Sequence, residues 1–390
     1  MPPSTSDTLP RPIADAERSL APDLGRGLML ALVALANSVI YLYDRPYGPR
    51  QHIVEHDTLD RVVAFLNTVL VEIRGYPLFA ALFAYGIVRA HIRHRSRGLD
   101  DLAARRLLRR RGRWLIVFGA AHAVLLFSGD VLGLYGLLGM VLLAMLKVGD
   151  RALLITGAAW LAVCGLVQGL VYSDSGPNTE RTFFWSFAVD DVPLAIALRA
   201  VEWIFTPLGL AGVFSAALAG MWAARRDILG APREHRGLLR RVAFTGITVS
   251  TAGGVPMGLM VAGVWTETGF LTDYLASALH VITGVAGGLG YAALIGLAAI
   301  RLGTRRGPVA TALAACGQRS LTCYLLQSVA FAALFAPYTL GLGARLGSAA
   351  TAGVAIAVWL LTVAIAEAMR RTGHRGPAET LLRRLSYPKP

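Results

Sequence analysis

Apolar residues come along this chain in long runs separated by short charged stretches. The runs lie near 27–43, 75–92, 114–129, 131–147, 152–172, 203–224, 242–265, 275–300, 319–337 and 348–369. Each approaches the roughly 20 residues a helix needs to cross the hydrocarbon of a bilayer. The pattern predicts an all-α, polytopic integral membrane protein of about ten transmembrane helices. Two adjoining pieces, 59–73 and 191–202, mix charge with apolar residues and read as helices lying at the interface. Only "SGD" (128–130) separates the third run from the fourth, which makes them a tight antiparallel hairpin. Residues 21–371 form the membrane domain. A Ser-, Pro- and Asp-rich tail with no apolar signal core (1–20) precedes it, and a short basic tail (372–390) follows.

Charge adds an orientation. The stretches 89–113, 224–241 and 301–306 and the C-terminal tail are strongly basic. The intervening loops carry Asp44, Glu55, Asp57, Asp174, Glu180, Asp190, Asp191, Glu267 and Asp273 with few Lys or Arg. This alternation predicts both termini on the cytoplasmic side. The net charge of +14 is then a matter of topology, and no nucleic-acid partner is expected. Cys164, Cys316 and Cys323 show no spacing of a zinc site or disulfide framework and read as small buried residues; no metal is expected. The pairs Gly254/Gly258 and Gly284/Gly288 follow no strand, and close helix packing accounts for them better than a dinucleotide loop.

Polar side chains at membrane depth cost roughly 2.5–3.5 kcal/mol each for Arg or Asp, so they carry the information. Asp23, Arg26 and Asn37 fall on one stripe of the first helix, within about 60° of one another. The stripe reads either as a substrate-binding face or as a snorkelling arginine with a packing asparagine. His122 lies well inside the third run, with Asp130 at the following turn. A histidine in such a place is a general base or a satisfied packing residue. His280 takes the packing reading, while His52 and His56 read as solvated loop residues. The ninth run opens "CGQRSLTCYLLQSV", with Ser320, Tyr324, Gln327 and Ser328 on one face, either lining a substrate or gluing helices together. Arg319 and Glu367, at similar depth, are expected to pair.

These segments together resemble the YeiB-like bacterial membrane proteins, the domain-of-unknown-function family 418. The resemblance rests on Asp23-x-x-Arg26-Gly27 with Asn37, on "LFAALFAYG" (78–86), "GAAHAVLLFSGDVLGLYGLLG" (119–139), "GQRSLTCYLLQSV" (317–329) and "GPAETLLRRLSY" (376–387). It runs from residue 21 to the C-terminus and implies a multi-pass protein of the bacterial inner membrane. A wider resemblance, to transmembrane acyltransferases that use cytoplasmic acyl-CoA, implies acyl-CoA as co-substrate with no tightly bound cofactor. In the sugar O-acyltransferases of that group a histidine stands eleven residues after the arginine; here that position is Asn37, so a base must come from elsewhere.

The leading reading is an acyltransferase-like protein. His122 and Asp130 would be its catalytic pair, and Asp23, Arg26, Asn37, Arg319, Tyr324 and Gln327 its donor- or substrate-binding set. The acceptor would be a lipid, a glycan or another hydroxyl- or amine-bearing molecule at the outer face. A transporter or flippase, and a non-catalytic membrane partner, stay open beside it. Membrane lipids are partners in every case, and the sequence leaves the oligomeric state unassigned.

Overall fold

A computed structural model describes residues 20–173, 181–303 and 307–387, so the expected tail at 1–20 lies, but for Leu20, outside the described residues. The fold is all-α. In chain order the helices are α1 (Leu20–Ser38), α2 (Thr58–Leu70), α3 (Gly75–Ser96), α4 (Asp101–Leu125), α5 (Val131–Ala144), α6 (Asp150–Val171) and α7 (Val192–Gly209). They continue as α8 (Val213–Arg225), α9 (Arg236–Val261), α10 (Phe270–Leu302), α11 (Pro308–Gln318), α12 (Ser320–Phe335), α13 (Ser348–Arg371) and α14 (Pro377–Ser386). Among the described residues there is no strand, only an isolated bridge between Tyr47 and Ile53.

Among the described residues, seven segments are long and apolar enough to cross a membrane: Leu20–Tyr41, Thr58–Ser96, Asp150–Val171, Val192–Gly209, Arg236–Val261, Phe270–Leu302 and Ser348–Arg371. Val131–Lys147 and Ser320–Phe335 are shorter apolar helices that pack among them. The run at 114–129 is the apolar half of α4, whose first half carries the arginines of the basic stretch.

The two segments expected at the interface are built into the helical bundle. Residues 59–70 belong to α2, which packs along α9, and 71–73 to a break at 71–74 that leads into α3. Of the charges in that segment, Asp60 and Arg61 are half-buried on α2, whereas Glu72 lies inside the protein at the break, beside Arg74, which has no exposed surface. Residues 191–202 open α7, which runs on without interruption to Gly209. Asp191 caps its start, accepting from the Leu194 N–H at 2.7 Å. Pro207, with no N–H to continue the ladder, ends it within a turn, so the expected span at 203–224 is divided between α7 and α8.

Small residues let the helices meet at backbone distance. A Cβ on Gly27 would come within 2.1 Å of the Leu313 carbonyl oxygen, which welds α1 to α11. Gly284 and Gly288 of α10 do the same for the α2–α3 break. A Cβ there would lie 2.7 Å from the Ile73 carbonyl oxygen and 2.8 Å from that of Arg74. The largest apolar core unites α1, α3, α5, α8 and α10.

A buried histidine between a carboxylate and a hydroxyl

The α4–α5 hairpin sets the central arrangement. Helix α4 stops soon after His122, because the N–H groups of Leu126 and Phe127 both turn back onto the His122 carbonyl, at 2.8 and 3.0 Å. The chain then crosses "SGD", and Asp130 caps α5 by accepting from the Gly133 N–H at 2.7 Å. On an unbroken helix the eight-residue offset would hold His122 and Asp130 about 12 Å apart. The early stop brings Asp130 Oδ1 to 2.9 Å from His122 Nδ1. Glycine permits the closeness: a Cβ on Gly119 would sit 2.2 Å from the Gly133 nitrogen.

The other ring nitrogen, Nε2, lies 2.8 Å from the hydroxyl of Ser328 on α12. All three side chains are buried, at 3%, 0% and 4% exposure for His122, Asp130 and Ser328. Asp130 accepts with both oxygens, so the ring proton belongs on Nδ1, leaving the Nε2 lone pair as the nearer acceptor for the Ser328 O–H, ahead of the Tyr324 carbonyl at 3.3 Å. That is the connectivity of a carboxylate-oriented base addressing a hydroxyl nucleophile. The Tyr324 ring stands 4.9 Å from the imidazole, and its buried hydroxyl makes no well-formed hydrogen bond. The sequence reading set Ser328 on the polar face of α12 without a partner; its contact with His122 spans 206 positions of sequence.

The remaining expected site residues divide by depth. Tyr324 stands at the histidine, and Gln327, one turn away, reaches the Thr362 hydroxyl at 3.4 Å. Asn37 takes a short hydrogen bond from the Tyr76 hydroxyl. Asp23, Arg26 and Arg319 gather at the basic end: Arg26 pairs with Asp23 at 2.9 Å, and Gln318 donates to Asp23 at 3.1 Å. Arg319 donates to the carbonyls of Ala315 (3.2 Å) and His374 (2.6 Å). The expected Arg319–Glu367 pair is not formed. Glu367 is held by Arg370 and Arg371, at 2.7 and 2.8 Å, partners three and four residues along its own helix that it reaches without crossing to another.

A second polar layer closes the site on the side away from the basic end. Glu202 of α7, fully buried, accepts from the hydroxyls of Ser128 and Ser186 and from the Ser186 N–H. Arg199, one turn earlier, donates to the Leu125 carbonyl at 3.0 Å and to the Tyr338 hydroxyl. Tyr41, Phe127, Phe187, Phe331 and Phe335 form an aromatic lid beside them. The Tyr41 hydroxyl, buried within this lid, has no partner among the described residues. Further out, a cavity of about 470 Å³ opens beside Arg45, Tyr47, Arg181 and Trp185. The spacing of Arg199 and Glu202 on an apolar helix was the available signal for this layer.

The α2–α3 break gathers a third cluster. Arg74 stands in for the lost helical bonds, donating to the carbonyls of Thr68 (3.0 Å), Glu72 (2.6 Å) and Ser250 (2.8 Å), and contacting the His280 ring. Glu72 binds Arg50 at 2.7 Å and His52 at 3.1 Å, tying the preceding loop to the break. Burial works to lower the Arg50 pKa, and the Glu72 carboxylate and the Tyr172 hydroxyl together more than offset it, so the guanidinium ends above its ordinary value. His52 is therefore buried and paired rather than solvated, and His280 belongs to this polar cluster rather than to apolar packing. Ile73 sits between the two charged residues with a φ of 57°, a costly conformation for a β-branched residue.

Comparison with known proteins agrees with the motifs. Residues 223–389 match the model of a family described as "Protein of unknown function (DUF418)". The chain is 25% identical over 410 residues to the Bacillus subtilis (strain 168) protein named "Uncharacterized protein YxaH", covering 97% of this chain and 96% of that one. It is also 25% identical over 397 residues to "Uncharacterized protein YeiB" of Escherichia coli (strain K12), covering 95% and 96%. The DUF418 resemblance is borne out over residues 223–389, and the likeness to YeiB and YxaH runs along nearly the whole chain.

Proposed function

We propose, from the premise that this is a YeiB-like DUF418 membrane protein, that it transfers an acyl group from a cytoplasmic acyl-CoA-type donor to a lipid or glycan acceptor on the opposite face of the bacterial inner membrane. The observation that carries the reading is His122 hydrogen-bonded at once to Asp130 and Ser328 inside the bundle. In the first step His122 Nε2 takes the Ser328 proton as Oγ bonds to the acyl carbonyl carbon. The carbon–sulfur bond to the donor breaks, and the leaving thiolate takes that proton from the imidazolium. In the second step the acceptor hydroxyl or amine gives its proton to Nε2 and displaces Ser328 Oγ, which recovers a proton from the ring. Asp130 keeps the tautomer and stabilises the imidazolium. Tyr324, whose hydroxyl is uncommitted, supplies a hydrogen bond to the developing oxyanion. A covalent intermediate suits a membrane site, because donor and acceptor arrive from opposite faces and need not be present together.

The test is lipid and cell-wall glycan profiling of a deletion strain complemented with the wild type, Ser328→Ala or His122→Gln. An acylated product should return only with the wild type, and intact-protein mass spectrometry of the donor-treated wild type should show an acyl adduct at Ser328. Full restoration of that product by both variants would sink the proposal.

One observation favours a second reading, a transporter. The strained Ile73 and the Arg50–Glu72–His52 cluster sit at a broken membrane helix, a place where transporters bind substrates. Substrate accumulation in proteoliposomes that persists in Ser328→Ala would select it.

A further inference from the structure

Helix α4 begins with a run of arginines, "RRLLRRRGR" (105–113). At 100° per residue, Arg106, Arg109, Arg110 and Arg113 fall within an arc of about 100°, while Arg111 projects from the other side. Those four, with Leu107 and Met140 of α5, line a cavity of about 510 Å³. Orientation in the membrane explains arginines at this end but not their gathering on one face.

Several cations nearby are held by carboxylates. Arg105 binds Asp101 at 2.9 Å, Arg225 and Arg226 share Asp150 at 2.7 Å each, and Arg89 meets Asp227 at 3.0 Å. Among the described residues, Arg106, Arg109 and Arg113 make no hydrogen bond or ion pair, although Asp101 lies on the same helix. Arg110 holds the Leu385 carbonyl at 2.8 Å, which draws α14 alongside α4. Four guanidinium groups on one wall repel one another, and an anion with several oxygens relieves that repulsion through forked hydrogen bonds. The depth is also informative. Gly112 packs on Gly136 of α5, and Arg113 is about 13 Å from His122 along the helix, with Arg106 about 24 Å away. The row therefore runs from the edge of the apolar bundle outward, and its apolar members Leu107 and Met140 suit a ligand that is not all charge.

We propose that this groove binds the clustered phosphates of an amphiphile whose acyl-bearing end points along α4 toward His122. The direction rests on the acyl-transfer reading; the phosphate site does not. Such phosphates come either from an acyl-CoA or from an anionic lipid headgroup, and the groove recognises what the two share.

The full chain, purified into phosphatidylcholine nanodiscs, separates the sources. Coenzyme A and palmitoyl-CoA would be titrated by calorimetry, and retention of added cardiolipin followed by native mass spectrometry. Arg109→Gln/Arg113→Gln should weaken one of these ligands at least tenfold. Arg109→Lys/Arg113→Lys, which preserves charge and topology but loses the fork, should weaken it several-fold. Arg111→Gln should stay within twofold of the wild type. Loss of coenzyme A binding assigns the groove to a nucleotide-bearing donor, and loss of cardiolipin alone assigns it to a lipid headgroup. The proposal is overturned if neither ligand is affected, or if Arg111→Gln costs as much as the double variant. His122→Gln should bind as the wild type does. A protein that binds in this groove but never acylates Ser328 would end the transfer reading and leave the phosphate site standing.

Discussion

The carboxylate of Glu379 on α14 accepts from the N–H groups of Leu321 and Thr322, at 2.7 and 3.1 Å, and from the Thr322 hydroxyl. A helix from the C-terminal tail thus caps the N-terminus of α12, the helix that presents Tyr324 and Ser328 to His122. Negative charge at a helix start satisfies orphan N–H groups and the helix dipole together. Glu379→Ala should lower stability by about 1–2 kcal/mol, read as an earlier thermal transition in detergent. An unchanged transition would mean that α14 contributes nothing to α12.

Asp130 has two tasks that a conservative change separates. Asparagine can still cap α5, because its side-chain oxygen can accept from Gly133. Facing His122, its amide can hold the ring in the wrong tautomer, with the proton on Nε2 instead of Nδ1. Asp130→Asn should therefore fold with a near-native melting temperature yet lose acyl transfer by about 100-fold or more. Turnover within a few-fold of wild type would remove Asp130 from the chemistry.

At the α2–α3 break, Glu72 neutralises a buried Arg50. Glu72→Gln strands that cation, at a cost of about 3–5 kcal/mol. Arg50→Gln strands the carboxylate, with His52 as its remaining partner. The double variant should cost clearly less than the sum of the two singles. Additive losses in chemical denaturation would show that the pair is not coupled.

What the sequence made legible depends on how far each feature reaches. Apolar runs are local, and they marked the all-α membrane class and most helix positions. The polar face of α12 and the place of His122 were visible for the same reason. Asp130 was recognisable as a companion because only a three-residue turn, which ends in it, separates the two apolar runs. Ser328 was not, since it joins His122 through the packing of distant helices. The charges misled where depth had to be inferred. Glu72, Arg199 and Glu202 looked interfacial because nothing local shows that a helix break or a second polar layer buries them. Glu367 looked like a partner for Arg319 by depth, while two arginines on its own helix were nearer.

Gly284 tests whether the break depends on a close approach. A Cβ there would stand 2.7 Å from the Ile73 carbonyl oxygen and 2.9 Å from the Ile73 Cβ, and neither can swing aside as a flexible side-chain end would. Gly284→Ala should destabilise by about 1–3 kcal/mol, despite alanine's better helix propensity. A stabilised variant would mean that α10 and the break separate at no cost.

Glu367 provides the counterpart to Glu379. Arg370 and Arg371 are 40% and 74% exposed, so solvent screens both of its ion pairs and either cation can rotate away. Such pairs are worth about 0–1 kcal/mol. Glu367→Gln should therefore shift the thermal transition less than Glu379→Ala does, although both remove one carboxylate at the same end of the bundle. It should also leave the unfolding behaviour of Arg319→Gln unaltered when the two are combined, since they share no contact. A loss from Glu367→Gln equal to that from Glu379→Ala, or strong coupling to Arg319→Gln, would restore the cross-helix pair that depth alone suggested.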